Sequence, residues 1–140
     1  MRVDLVFQRG QFSLAERLCR TGVQPYVPAR NRIRLVFLEE EPGVFQTGEN
    51  RYQVVMLGQA WSFTPNEVRV PAGAEVTFLV TSTDVIHGFN IEDTRVNAML
   101  IPGQVARVTY TFREPGEHLI VCHEYCGLNH HMMWGRVIVE

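Results

Sequence analysis

The chain has 140 residues, of which 46% are hydrophobic and 20% charged, and these values are typical of one globular domain. Its formal net charge of −2 gives no indication of nucleic-acid binding. No run reaches the ~20 apolar residues of a membrane-spanning helix, and residues 1–20 lack the apolar stretch of a signal peptide, so the sequence predicts neither.

Charge is unevenly distributed along the chain. Residues 1–38 contain seven Arg and two acidic residues, a net charge of +5, whereas residues 39–140 contain six Arg and thirteen acidic residues, a net charge of −7. An acidic surface attracts basic protein partners such as many cytochromes c, but ordinary solvated acids give the same count. Both interpretations stay open.

Residues 1–50 differ in pattern from the remainder and are predicted to form an irregular N-terminal extension. Ser13 stands three residues before Glu16, the spacing of a helix capping box, which predicts one short helix. Pro25 and Pro28 favour extended or turn structure, and the segment EEEPG at 39–43 is typical of a linker. We therefore predict a domain boundary at residue 51, with residues 1–50 dispensable for copper binding and for the stability of the β-domain.

From residue 51 onward, short alternating runs separated by Gly and Pro predict an all-β domain over residues 51–140. In residues 75–80, Val76, Phe78 and Val80 face one way and the intervening residues face the other. Residues 106–112 alternate in the same manner, with Ala106 and Phe112 on the inward face. The remaining predicted strands cover residues 51–58, 66–70, 118–122 and 134–140.

Several short strands at this spacing predict an antiparallel β-sandwich or barrel. The strand that ends at Val121 would bring residues 122–133 to one end of the domain, and the strand 134–140 would lead away from it. Because rigid strands fix both ends of this loop, the loop can hold several functional side chains in place.

The loop sequence CHEYCGLNHHMM, residues 122–133, carries the clearest chemical signal. It places Cys122 and Cys126 four residues apart, His130 four residues later and Met133 three after that. Thiolate and thioether sulfur combined with imidazole favour copper over hard ions such as magnesium. A single-copper blue site needs one Cys, whereas two neighbouring thiolates can bridge two copper ions. The loop therefore predicts a dinuclear copper centre and, through it, electron transfer.

A second imidazole for such a centre is available upstream. His87 is the only histidine outside residues 118–131, and it lies between apolar residues in the segment TSTDVIHGFNIE. A lone histidine in an apolar run is more often a packed core residue. The prediction that His87 is a ligand therefore depends on the motif around it.

Other interpretations fit parts of this pattern. Cys122 and Cys126 could form a disulfide, Met133 could be a core residue, and a set of two Cys and two His could bind structural zinc. The second Cys disfavours a single-copper carrier, and the thioether and the remote His87 disfavour zinc. A copper chaperone is a further alternative. Cys19 fits no ligand position and is predicted to be an incidental thiol.

The sequence from about residue 52 to residue 140 resembles the copper A domain of cytochrome c oxidase subunit II, and looks most like that of the ba3-type oxidases. The family pattern is D-x-x-H-G-F followed by C-x-E/Q-x-C-x-x-x-H-x-x-M. Every defined position is filled in order, by Asp84, His87, Gly88, Phe89, Cys122, Glu124, Cys126, His130 and Met133.

The resemblance implies a cupredoxin-like Greek-key β-sandwich or barrel that holds two copper ions. In such a centre the thiolates of Cys122 and Cys126 would bridge the two coppers, and His87 and His130 would each cap one copper through imidazole. Met133 would be a weak thioether ligand that tunes the potential, and Glu124 would offer its backbone carbonyl. The Glu124 side chain would be free to meet a second metal or subunit I.

The family spacing also separates ligands from their neighbours in the doublets His130-His131 and Met132-Met133. It selects the first His and the second Met, so we expect His131 and Met132 to point away, toward a partner. Trp61 occupies a position where the family places an aromatic residue beside the copper site. These three residues form the predicted partner surface, although core packing explains Trp61 nearly as well.

The function implied by the resemblance is that of the electron-accepting subunit of a haem–copper oxidase. It would take electrons from cytochrome c and pass them to haem in subunit I, on the outer, periplasmic face of the cytoplasmic membrane. Membrane association would come through the oxidase complex, since the family's usual N-terminal anchor is not seen here. The main alternative is the copper A domain of a nitrous-oxide reductase, whose relatives tend to carry an aromatic residue where this chain has Glu124.

Overall fold

The computed structural model describes residues 41–140, which form ten β-strands and one short 3-10 turn at His130–Met132. The strands are β1 (Gly43–Gly48), β2 (Arg51–Gln59), β3 (Ser62–Thr64), β4 (Glu67–Val70), β5 (Glu75–Ser82), β6 (His87–Ile91), β7 (Asn97–Leu100), β8 (Ala106–Thr111), β9 (Gly116–Val121) and β10 (Trp134–Val139). Within residues 41–140, no helix is long and apolar enough to cross a membrane. The predicted all-β class is confirmed.

The strands form two five-stranded sheets. The first has the order β1-β2-β5-β8, with β3 paired to β2, and the second has the order β4-β10-β9-β6-β7. The expectation of purely antiparallel pairing is wrong at two places, because β2 pairs with β5 and β4 pairs with β10 in parallel. For two neighbouring strands to be parallel, the chain must cross back to the end of the sheet where the first strand began before it forms the second strand. Between β2 and β5 it does so by visiting the other sheet as β4.

Four phenylalanines from both sheets meet in the core and are almost fully buried: Phe63, Phe78, Phe89 and Phe112. The Phe89 ring of β6 lies 5.8 Å from Phe63 and 5.7 Å from Phe78, measured between ring centroids. Such aromatic pairs add about 0.5–1.5 kcal/mol each beyond the burial of their area. Phe89 thus fixes β6, the strand that begins with His87, against the opposite sheet.

The predicted alternation of the long strands is confirmed. On β5, Val76, Phe78 and Val80 are fully buried, while the residues between them are exposed or half-buried. On β8 the inward side chains pack against the core and the outward ones are exposed. These two strands pair in antiparallel register from Glu75 with Thr111 to Val80 with Ala106.

The sheet begins earlier than the sequence predicts. Strand β1 lies before residue 51 and pairs with β2 from Gly43 opposite Val55 to Gly48 opposite Arg51, so the expectation that every strand follows residue 51 is wrong. Its side chains are almost all exposed, because β1 is an edge strand with little core to cover. Residues 1–40, including the short helix predicted within residues 12–19, lie outside the described residues, and the proposed division into extension and domain stays a prediction.

We expect a chain shortened to begin at Gly48 to load copper like the full chain, since all proposed ligands lie beyond it. Loss of β1 should lower the free energy of unfolding by roughly 1–2 kcal/mol, because exposed strand hydrogen bonds contribute only about 0.5–1.5 kcal/mol each in net terms. Urea unfolding and copper titration measure both effects, and a chain that begins at Glu41 and keeps β1 is the matched control. Failure of the Gly48 chain to fold would place the domain boundary before β1.

Candidate metal centre

His87 opens strand β6 and is fully buried. Its Nε2 atom lies 2.7 Å from Asp84 Oδ1, three residues earlier in the loop between β5 and β6. Among the described residues, its Nδ1 atom is buried without a hydrogen-bond partner. Because an ionised Asp84 can only accept, the proton of a neutral imidazole resides on Nε2 and the Nδ1 lone pair is free. A buried lone pair without a partner is the arrangement of a metal ligand.

The Asp84 carboxylate is held by several donors. It accepts hydrogen bonds from the backbone amides of Ala60 at 2.7 Å and Val85 at 2.6 Å, in addition to His87. Burial raises the pKa of this carboxyl, but the Ala60, His87 and Val85 hydrogen bonds outweigh burial and bring the pKa down to about 2. Asp84 is therefore ionised at neutral pH, and it fixes the orientation and the tautomer of His87.

Cys122 and Cys126 bring their thiols together beside His87. Their Sγ atoms are 3.8 Å apart, both side chains are buried, and neither forms a disulfide. The ligand atoms of these two cysteines and of His87 all lie within 4.8 Å of one another. The structure thus joins residues 35 to 39 positions apart in the chain into one cluster, as the sequence predicts.

His130 and Met133 complete the cluster from the far end of the same loop. His130 Nδ1 lies 3.4 Å from Cys126 Sγ, and Met133 Sδ lies 3.7 Å from that same sulfur. The loop is closed by backbone hydrogen bonds, from Cys122 N–H to the Met133 carbonyl and from Met133 N–H to the His130 carbonyl. The register with His130 and Met133 as inward residues is the one in which both side chains face the thiols.

Glu124 lies between the two cysteines with its backbone turned inward. Its carbonyl oxygen is 3.2 Å from Cys122 Sγ, whereas its carboxylate points outward and lies 3.6 Å from His123 Nδ1. The carbonyl is therefore positioned for the role that the sequence resemblance assigns to it. The Glu124 carboxylate is half-exposed.

Trp61 lies in the turn between β2 and β3 and directly contacts residues 122–133, the loop that carries most of the candidate ligands (the ligand loop). Its indole N–H donates a 3.1 Å hydrogen bond to the carbonyl of Cys126. The ring packs on Gly127, where a Cβ would approach the indole nitrogen to 3.0 Å and where φ is +121°. Glycine is required there both for this close approach and for the positive φ. Trp61, the aromatic residue expected beside the site, is thus hydrogen-bonded to Cys126, the residue before the turn at Gly127.

His131 and Met132 point away from the thiols. Both are exposed, Met132 at 59%, whereas the adjacent Met133 is 2% exposed. Met132, Trp61 and Trp134 line one side of a surface cavity of about 440 Å³ next to the ligand loop. His118, which fits no ligand position, is half-buried and its Nδ1 lies 3.2 Å from the Glu92 carbonyl.

The donor set fits copper. Two thiols, two imidazole nitrogens, a thioether and a carbonyl surround one buried space, and soft sulfur with imidazole favours copper, while a thioether is a poor zinc ligand. Burial raises the pKa of the Cys126 thiol to about 11, and the charge of the adjacent Cys122 adds to the increase. Metal binding must therefore displace a proton from Cys126, so affinity for the metal should increase with pH.

The sequence model of the periplasmic domain of cytochrome c oxidase subunit II matches residues 53–140. This range is more than half of the chain, and it contains all six candidate ligands. The chain belongs to this family.

Among members of the subunit II family, cytochrome c oxidase subunit 2 of Thermus thermophilus is 50% identical over 97 residues, 69% of this chain and 72% of that protein. A second Thermus thermophilus protein of the same description matches at the same identity over 58% of its length. These matches are consistent with the ba3-type resemblance. Nitrous-oxide reductase of Cupriavidus necator is 35% identical over 72% of this chain but only 16% of the reductase.

Solved structures agree with this assignment. A haem–copper terminal oxidase dimer contains a chain 39% identical to this one, with a TM-score of 0.68 and 71% of each chain covered. Auracyanin A, a blue copper protein of Chloroflexus aurantiacus, covers 64% of this chain and 99% of its own at a TM-score of 0.52 and 14% identity, which shows the fold alone. The predicted cupredoxin-like fold of this subunit II domain is confirmed.

Two supporting features of the site escaped the sequence reasoning. The carboxylate of Asp84 was recognised only as part of a motif, although an acid three residues before a buried His is a detectable signal for an orienting partner. Gly58 on β2 gave no signal, yet a Cβ there would lie 3.6 Å from the His87 ring and 3.7 Å from the Met133 methyl group. Only the fold reveals that β2 borders the site.

Proposed function

We propose that this subunit II domain holds two copper ions in a dinuclear copper A centre and transfers electrons from cytochrome c to haem in subunit I. The observation that carries the proposal is the pair of buried thiols 3.8 Å apart, with His87 on one side and His130 on the other. Two sulfurs at this spacing, with one imidazole for each metal, suit a pair of ions better than a single one.

The neighbours of each imidazole suggest how the ligands divide. The His87 ring and the Met133 methyl group both lie next to Gly58, so these two side chains are close to each other. The Glu124 carbonyl lies against Cys122, and His130 lies against Cys126. We therefore assign His87 and Met133 to one copper, and His130 and the Glu124 carbonyl to the other.

The protein residues supply a rigid, dry environment. Copper held here would supply redox chemistry in which one electron is delocalised over two ions, so that bond lengths would change little on reduction. The chain supports this by fixing each ligand before the metal binds: Asp84 orients His87, Trp61 holds the Cys126 carbonyl, and β9 and β10 fix both ends of the loop. A preorganised, buried donor set requires little rearrangement when the charge changes.

Partner binding is proposed at the same end of the domain. The residues that flank the ligands in sequence are apolar and exposed, including Val85, Ile86, Tyr125, Leu128 and Trp134. Exposed apolar residues concentrated in one region mark protein interaction sites. We propose that cytochrome c and subunit I dock here, with Trp61, His131 and Met132 on the donor side, and that the domain lies on the periplasmic face of the membrane.

The test is copper analysis and electron paramagnetic resonance of the copper-loaded protein. Two coppers per chain and a hyperfine pattern from one electron shared by two copper nuclei are expected, followed by rapid reduction on mixing with reduced cytochrome c. One copper with a single-nucleus pattern would contradict the dinuclear centre. Zinc in place of copper after loading with both metals would favour a structural site.

A nitrous-oxide reductase remains the second candidate for the complete protein, because of the 35% identity over 72% of this chain. The dinuclear centre and its electron transfer would be the same in that case, and only the electron acceptor would differ. Glu124 at the position between the cysteines favours the oxidase. Reduction of oxygen, or of nitrous oxide, by membranes that contain the full-length protein would discriminate between the two.

A further inference from the structure

At Gly88, the residue after His87, strand β6 departs from the regular backbone hydrogen-bonding pattern of its pairing with β9. In its pairing with β9, the Glu92 amide donates to the Leu119 carbonyl, and Asn90 stands opposite Val121. Because hydrogen-bonded pairs recur every two residues in an antiparallel ladder, the next amide in line is that of Gly88, opposite His123. Instead of a carbonyl, this amide donates to the Cys122 sulfur, with N···Sγ at 3.3 Å.

Glycine at position 88 makes this geometry possible. A Cβ there would lie 2.6 Å from both the Cγ atom and the backbone nitrogen of His123, closer than side chains tolerate. The loop backbone therefore crosses directly over Gly88, and this close crossing keeps Cys122 Sγ within reach of the amide. His123, which fits no ligand position, contributes its backbone to the arrangement.

The two thiols consequently have different surroundings. Cys122 Sγ faces the Gly88 amide and the Glu124 carbonyl, whereas Cys126 Sγ faces His130 Nδ1 and Met133 Sδ. An N–H donor pointed at a ligating sulfur draws electron density away from it, and hydrogen bonds to sulfur are one of the means by which proteins set the potential of metal centres.

We propose that the Gly88 amide is a positioning group that makes Cys122 the weaker of the two thiolate donors and thereby raises the reduction potential of the centre. This inference rests on the proposed copper A function. A weaker sulfur donor stabilises the oxidised copper pair less, so the N–H···S hydrogen bond favours the reduced state. Glycine at this position is thus a determinant of potential as well as a steric requirement.

The test replaces only the N–H group. Glycolic acid incorporated at position 88 in place of glycine converts the amide into an ester and leaves the Cβ-free backbone intact. We expect the two-copper hyperfine pattern to persist and the reduction equilibrium constant to fall about tenfold, a downward shift of roughly 59 mV for one electron. The matched control is glycolic acid at Gly103, which lies in an exposed turn with no atom near its would-be Cβ. An unchanged potential at position 88 would overturn the proposal.

A second measurement on the unmodified protein decides the matter if the ester variant does not load copper. His87-Gly88 is the only His-Gly dipeptide in the sequence, so carbonyl-13C-His with 15N-Gly labelling isolates the Gly88 amide signal in nuclear magnetic resonance spectra. A hyperfine shift of that amide on oxidation is expected through the hydrogen bond, and its absence would contradict the proposal. A wild-type protein without a two-copper hyperfine pattern would instead refute the proposed function.

Discussion

Replacement of either thiol, by Cys122→Ser or by Cys126→Ser, is expected to abolish the two-copper centre. A hydroxyl is a hard, weakly basic ligand that cannot bridge copper ions as a thiolate does. Copper content should fall below two per chain, and the thiolate-to-copper charge-transfer absorption of the shared centre should disappear. The matched control is Cys19→Ser, which removes the third cysteine and should leave both measurements unchanged. Retention of two coppers in either variant would contradict bridging.

Met133→Leu should act differently, because the thioether contributes at the edge of the donor set. The two-copper pattern is expected to persist with a shifted reduction potential, since the axial sulfur tunes the site without building it. Met132→Leu is the control, because Met132 is exposed and points away from the thiols. If Met132→Leu shifted the potential and Met133→Leu did not, the assignment of the inward methionine would be wrong.

The second large effect is expected from Asp84→Asn, which keeps the shape of the side chain and removes its charge. An amide N–H facing His87 Nε2 would favour the opposite tautomer, with the proton on Nδ1, where the ligand lone pair is needed. Loss of such an orienting partner typically reduces metal affinity by roughly 10–100-fold. Competition with a copper chelator measures the change. Asp93→Asn, in a turn with φ of +58° that Asn also adopts, is the matched control.

The same carboxylate predicts how the metal-free protein responds to acid. Its pKa is about 2 in the folded chain, below the ordinary value of 3.8, so the folded state favours the ionised form. A lowered pKa contributes stability above the unfolded value, and this contribution is lost as the pH falls from about 4 to about 2. Urea unfolding across that range should show a steeper loss for the wild type than for Asp84→Asn, and equal slopes would contradict the assignment.

The long strands were predictable from sequence because each buries a single face. From Glu75 to Val80, strand β5 alternates between buried positions and exposed or half-buried ones, which is the pattern that periodicity detects. Strand β6 is buried on both faces and β1 is exposed on nearly every side, so neither alternates. The two parallel pairings also gave no local signal in the sequence. Both depend on β4 joining the second sheet, where it pairs with β10 and leaves β5 to pair with β2.

Candidate ligands in the loop could be proposed from sequence because chemistry and spacing there are local properties, and their binding of metal stays a prediction. The structure brings the side chains of Cys122, Cys126, His130 and Met133 together beside His87. The groups that orient these ligands were harder to predict, because Gly58 and the Gly88 amide act through backbone position. A backbone amide that donates to a sulfur cannot be recognised from the residue type, except that the close approach requires glycine at that position.

The parallel pairing of β4 with β10, which are the first and last strands of the second sheet in chain order, has a consequence for the rate of folding. Strand β10 pairs with β4, where Arg136 bonds to Glu67 across a separation of 69 residues. Such distant contacts form slowly, since a long segment must be ordered before they contribute. Until β10 docks, nothing anchors the far end of the loop that carries both thiols. We therefore expect copper to bind only after β10 has paired with β4, so that folding of the second sheet precedes loading of the metal.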